Sequence, residues 1–148
     1  MIKNPKIDTY SFKRSISLLK RNRKYILKIL SINGLLLKYV NKKLQNDKEV
    51  VLSAVNQNGL SIEFASNILK NDFEICKAAV KQYCFAIKFI NHKIRNQKEI
   101  IYESLNQSGY VLKYLNRNSK KNKTYVKKAV LKNELSLRYA DKSLRNDK

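Results

Sequence analysis

The residues with the most obvious chemical potential are cations set four apart: Lys38 with Lys42, Lys88 with His92, Lys113 with Arg117, and Arg138 with Lys142. On a helix such pairs lie side by side, and a row of them suits phosphates and other anions better than any bond-breaking step. Catalysis finds little to work with. The two cysteines, Cys76 and Cys84, are eight apart and His92 is the single histidine, which excludes a zinc ribbon, a haem-attachment motif and a disulfide scaffold. No glycine-rich phosphate loop is present, and no nucleophile stands in a motif with a base and an acid. The expectation is therefore a non-enzymatic chain without cofactor or metal.

The elements that must position these cations come from a repeat. The segment NDKEVVLSAVNQNGLSIEFASNILK, residues 46–70, recurs without gaps every 25 residues. One column reads Ile29, Ala54, Ala79, Ser104, Ala129, and another Leu37, Ile62, Ile87, Leu112, Leu137. A third is aromatic throughout: Tyr39, Phe64, Phe89, Tyr114, Tyr139.

Within one repeat, Val50, Val51, Ala54 and Val55 mark one face of a helix. Asp47 is its candidate N-cap, with Glu49 in the first turn. Gly59, in a column with Gly34 and Gly109, reads as a left-handed helix stop. Cys84 and Glu134 interrupt that column, where a left-handed backbone would cost a residue with a Cβ about 1–2 kcal/mol. A second, shorter helix is expected next, because Leu60, Ile62, Phe64, Ala65 and Leu69 fill an arc of about 200° at helical spacing. Neither helix is long enough to stand alone. Stacking supplies the missing surface, so the fold class expected is all-α, an α-solenoid of about five two-helix repeats over residues 21–148.

Tyr10, Phe12, Lys13 and Leu19 match second-helix columns, so residues 1–20 read as an N-terminal half repeat that caps the stack. Asn146, Asp147 and Lys148 begin a sixth repeat. Either the array ends on a bare second helix or the chain is a piece of something longer. The pattern D-K-E-h-h-x-x-A-h-x-x-x-G-h-x-h-x-[FY]-A-x-x-x-L-[+]-x-D, with h apolar and + basic, resembles the short tandem repeats of domain of unknown function 4116. The resemblance implies helical repeats from A/T-rich protists and large DNA viruses, with no established activity or ligand.

The chain carries 32 Lys and Arg against 11 Asp and Glu, a net +21 in 148 residues. Six of the acids, Asp47, Asp72, Asp147, Glu49, Glu74 and Glu99, fall in first-turn columns as caps and dipole partners. The bases left over concentrate on the second element, where Lys38, Lys42, Lys88, Lys113, Arg117, Arg138 and Lys142 form a candidate anion-binding ridge. The alternative is a solvated face biased toward lysine by an A/T-rich gene. A further column, Lys20, Gln45, Lys70, Arg95, Lys120 and Arg145, reads as cations complementing helix C-termini. The aromatic column reads as packing between repeats, His92 as a surface residue and Cys76 as a buried thiol.

No run approaches eighteen apolar residues and the N-terminus lacks an apolar signal region, so an intracellular, cytoplasmic place is expected, the host cytoplasm if the chain is viral. The basic, Ser/Thr-containing N-terminus superficially suits a transit peptide, but its half-repeat match argues against cleavage. The leading functional expectation is an interaction module with a protein partner. The second is sequence-tolerant binding of nucleic acid or another polyanion along the ridge. An anionic membrane surface ranks below both, because apolar residues flanking the basic strip are missing.

Overall fold

The computed structural model describes residues 22–145, and among these there are helices and turns but no strand. Five long helices recur in register with the 25-residue period: Arg23–Leu30, Lys48–Gln57, Phe73–Gln82, Lys98–Gln107 and Lys123–Lys132. Their starts follow the sequence. The Asp47 carboxylate accepts from the Val50 amide at 3.1 Å, and Asp72 accepts from the Glu74 and Ile75 amides. Asn22 and Asn122 do the same for Tyr25 and Tyr125. Val50, Val51, Ala54 and Val55 are all buried, as are Ile75, Cys76, Ala79 and Val80 one repeat on.

The second element departs from expectation. It is a six-residue 3-10 helix, Gly34–Tyr39, Gly59–Phe64, Cys84–Phe89, Gly109–Tyr114 and Glu134–Tyr139, followed by a break and a short helical turn. Val40, Ala65, Ile90, Leu115 and Ala140 occupy the break with extended backbone, for example φ −66 and ψ 157 at Ala65. The reason lies in a spacing of three. Gly34, Leu37 and Val40 are buried together, as are Gly59, Ile62 and Ala65, and a 3-10 helix eclipses side chains at i and i+3. A break is stabilised by the residue after it. Asn41, Ser66, Asn91, Asn116 and Asp141 each accept a backbone N–H of the following turn, so a cap column starts a new helix inside what reads as one. Each repeat thus holds three helical pieces, and the two-helix expectation is corrected.

The glycine column also has a different cause. Gly34, Gly59 and Gly109 all have negative φ, and among the described residues no backbone is left-handed. What the position demands is closeness. A Cβ on Gly34 would sit 2.1 Å from the Ala54 carbonyl oxygen, one on Gly59 2.3 Å from that of Ala79, and one on Gly109 2.1 Å from that of Ala129. The 3-10 helix therefore begins against the long helix of the next repeat. Cys84 is buried with ordinary backbone on both sides, so the strain anticipated at Cys84 and Glu134 is absent.

Three sets of bonds fasten one repeat to the next. The amides of Gly34, Gly59 and Cys84 donate to the Oε1 atoms of Gln57, Gln82 and Gln107, at 2.7, 2.5 and 3.0 Å. The second and third of these glutamines donate back through Nε2, to the carbonyls of Gln57 and Val80. At the breaks, the amides of Ser66, Asn91 and Asp141 donate to the carbonyls of Gln45, Lys70 and Lys120 in the preceding repeat. On the outer edge, Arg23 grips Asp47 and Glu49, and Lys48 grips Asp72 and Glu74. The first-turn acids are thus caps and also ion-pair partners between repeats. One continuous core joins Ile26 to Ala140. The N-terminal half repeat, Lys20, and the sixth-repeat start at Asn146, Asp147 and Lys148 lie outside the described residues.

Candidate anion-binding face

The row of the 3-10 helix that faces away from the core carries a cation in four of the five repeats and the exposed Glu63 in the second. Lys38, Lys88, Lys113 and Arg138 are exposed at its penultimate position, one residue before the half-buried aromatic column. Each lies over the ring of the residue that follows. The separations are 4.6 Å for Lys38 on Tyr39, 4.4 Å for Lys88 on Phe89, 5.8 Å for Lys113 on Tyr114 and 5.7 Å for Arg138 on Tyr139. Such cation–π contacts contribute about 0.5–1 kcal/mol each at exposed sites. The rings also pack edge-on against the previous repeat, Phe85 on Tyr114 and Tyr110 on Tyr139, so the aromatic column does join repeats.

Because a break follows the 3-10 helix, the cation pairs are not neighbours on one helix. Lys38 stands one residue before the end of its 3-10 helix and Lys42 opens the next turn, with Val40 extended between them. Helical repulsion between them is therefore not a feature of this fold. What gathers the cations is the junction between repeats. Lys38 and Lys42 of repeat 1 line an open groove of about 440 Å³ with Glu63, Asn67 and Lys70 of repeat 2. Arg117 and Lys120 of repeat 4 line the equivalent groove of about 500 Å³ with Arg138, Lys142 and Arg145 of repeat 5. Lys88, in repeat 3, and Lys113, in repeat 4, line neither groove.

The column expected to complement helix C-termini has a different task. The Gln45 amide donates to the Leu37 carbonyl and the Lys70 ammonium to the Glu63 carbonyl. Arg95 donates to the carbonyls of Ile90 and, across the joint, Tyr114; Arg145 donates to Ala140. These side chains fold back over the break and satisfy carbonyls that an uninterrupted helix would have bonded itself. Burial pushes the Lys70 ammonium below the usual lysine range, with Glu63 opposing and Lys42 reinforcing the shift. Burial likewise lowers Arg95 and Lys120.

Elsewhere the chemistry is quiet. Burial pushes the Cys76 thiol up to about 12, and its Sγ–H donates to the Lys70 carbonyl, so it is held as a thiol in the core. His92 is exposed at the start of a four-residue turn. Among the described residues no group of His, Cys, Asp and Glu is arranged to hold a metal, and no helix is long and apolar enough to cross a membrane.

This architecture has a counterpart among known sequences. The chain matches the family described as a domain of unknown function, DUF4116, over residues 22–70 and again over residues 72–118. The chain belongs to this family. Each DUF4116 match spans two of the 25-residue repeats. The fifth repeat falls outside both matches, yet it keeps the same long helix, 3-10 helix and terminal turn. No curated protein and no solved structure matches the chain.

Proposed function

We propose that the chain is a non-enzymatic interaction module, an α-solenoid of five repeats, that holds an extended polyanion, nucleic acid foremost, across its basic face. The observation that supports this reading is the exposure of all seven ridge cations, Lys38, Lys42, Lys88, Lys113, Arg117, Arg138 and Lys142, at the same two columns of four of the five repeats, repeat 2 carrying Glu63 and Asn67 there instead. Acids do little to neutralise them. The ion pairs that consume Asp47, Glu49, Asp72, Glu74 and Glu99 are on the long helices, and the ridge retains a single one, the loose Arg117–Asp141 contact at 3.6 Å. Repeats spaced by about 10 Å give a basic face about 50 Å long, enough to follow a strand. In four of the five repeats a cation lies over the aromatic ring, Phe64 after Glu63 being the exception, which favours backbone contact over base stacking.

A second reading, a protein partner, draws on one observation. Ile32, Tyr83 and Leu131 are exposed at 48, 42 and 78% and all three stand at the C-terminal ends of long helices. Titration of the purified chain with single-stranded RNA, duplex DNA and an unrelated polyanion across a salt series separates the two. The polyanion reading expects nucleic-acid binding with a log–log salt slope of about −4 to −6. A flat salt response, or none bound near physiological salt, overturns it and moves the search to proteins that recognise the exposed helix ends.

A further inference from the structure

We infer that the groove between repeats 4 and 5 is a discrete phosphate-binding site, built from Arg117, Lys120, Arg138, Lys142 and Arg145, and that it anchors the polyanion at one fixed point. The inference rests on the polyanion reading and adds a place and a hierarchy to it.

Repetition supplies the comparison. The groove between repeats 1 and 2 has the same construction, and column by column Arg117 stands where Lys42 does, Lys120 where Gln45 does, Arg138 where Glu63 does, and Lys142 where Asn67 does. Three of those four substitutions add a cation or reverse an acid. The later groove presents five bases against one acid, whereas the earlier presents three against one.

Lys120 is the second observation. Every other described member of its column, Gln45, Lys70, Arg95 and Arg145, bonds a carbonyl at a break. The Lys120 side chain has no hydrogen bond or ion pair among the described residues, although it is half-buried and burial lowers its pKa. A partly desolvated ammonium without a counter-charge, lining an open groove, is a donor waiting for an anion. The one carboxylate present offers it little. Asp141 commits Oδ1 to the amide and hydroxyl of Ser143, and its Oδ2 faces Arg117 at 3.6 Å. The Arg117 side chain is 81% exposed, so it is free to swing onto a phosphate instead. Arg138 is steadied over Tyr139 and faces the same space.

Two measurements on the full chain test the site. In the first, amide chemical shifts of the wild-type protein are followed during titration with inorganic pyrophosphate. Saturable shifts confined to residues 117–121 and 138–143, without equivalents at residues 63–67, are expected. In the second, Lys120→Gln, Lys88→Gln and Lys113→Gln are compared for affinity to the same single-stranded RNA, with thermal melts confirming folding. Lys120→Gln should weaken binding at least about tenfold, against about two- to threefold for either ridge variant. Equal losses at all three positions, or pyrophosphate shifts spread evenly over the repeats, overturn the discrete site and leave the polyanion reading standing. Confined pyrophosphate shifts without RNA binding overturn the nucleic-acid partner and leave the site. Absence of both responses overturns both.

Discussion

Replacing Gly109 with alanine asks whether closeness or backbone freedom keeps glycine at the start of the 3-10 helix. Its φ is negative, so alanine meets no conformational penalty, and reduced entropy of the unfolded chain alone would stabilise by about 0.4–1 kcal/mol. The structure gives the opposite sign. A Cβ there lies 2.1 Å from the Ala129 carbonyl oxygen and 2.5 Å from the Ser136 hydroxyl, whereas a carbon and a carbonyl oxygen rest at about 3.3 Å or beyond. Repeats 4 and 5 must part by more than about 1 Å, and overpacking of this kind costs about 1–3 kcal/mol. For a chain of this length a net loss of about 2 kcal/mol lowers Tm by about 4–8 °C. Thermal and urea unfolding followed by circular dichroism read the change, and Cys84→Ala, at a position that already holds a Cβ, serves as the tolerated counterpart. A neutral or stabilised Gly109→Ala would refute the close-approach argument.

Gln107→Leu removes the acceptor for the buried Cys84 amide and should cost about 1–3 kcal/mol, with faster hydrogen exchange at that one amide as the specific readout. Lys88→Gln should lower stability slightly, by about 0.5–1 kcal/mol, because it loses its place over Phe89; a rise in Tm would instead signal that repulsion along the ridge dominates. Acid should loosen the joints. The Arg23 guanidinium holds the Asp47 carboxyl below its usual range; burial raises Asp72, but the Ile75 amide and Lys48 outweigh it and the net shift is also downward. Folded values below the unfolded one of about 3.9 mean that the stabilisation is complete above that pH and disappears as pH falls through the folded values. The Asp47→Asn, Asp72→Asn double variant should therefore show a shallower loss of stability below about pH 4 than the parent, measured by urea midpoints across pH.

The long helices were legible because their signals are local. Asp47 and Asp72 cap where their position says they should, and the apolar i, i+1, i+4, i+5 set of Val50, Val51, Ala54 and Val55 is the set that is buried. The second element was misread because its apolar residues satisfy two periods. At 100° per residue they make a broad arc, but the strict threes of Gly34, Leu37 and Val40 belong to a 3-10 helix, and the Asn41, Ser66, Asn91, Asn116, Asp141 column announces a new helix start. Glycine invited the commoner explanation, a left-handed stop, since closeness between repeats leaves no trace within one repeat. The Gln57, Gln82, Gln107 column was visible at the same period, but only the three-dimensional joint shows that it pairs the first amide of the 3-10 helix in each of the first three repeats with the next repeat. At the candidate site the exposed cations were legible individually. Their grouping was not, because Lys120 and Arg145 resemble ordinary C-terminal cations until the break in the chain turns them toward the groove.

The inter-repeat fastenings bear on how such a chain can change its length. The amide of residue 34 is satisfied by residue 57, that of residue 59 by residue 82, and that of residue 84 by residue 107, an offset of 23 every time. Adding or removing one residue between the members of such a pair would break that joint, whereas adding or removing 25 together would bring equivalent partners back into register. Size in such an array is therefore quantised. New surface is acquired in complete grooves, each free to take its own charge pattern while the joint beneath it stays the same.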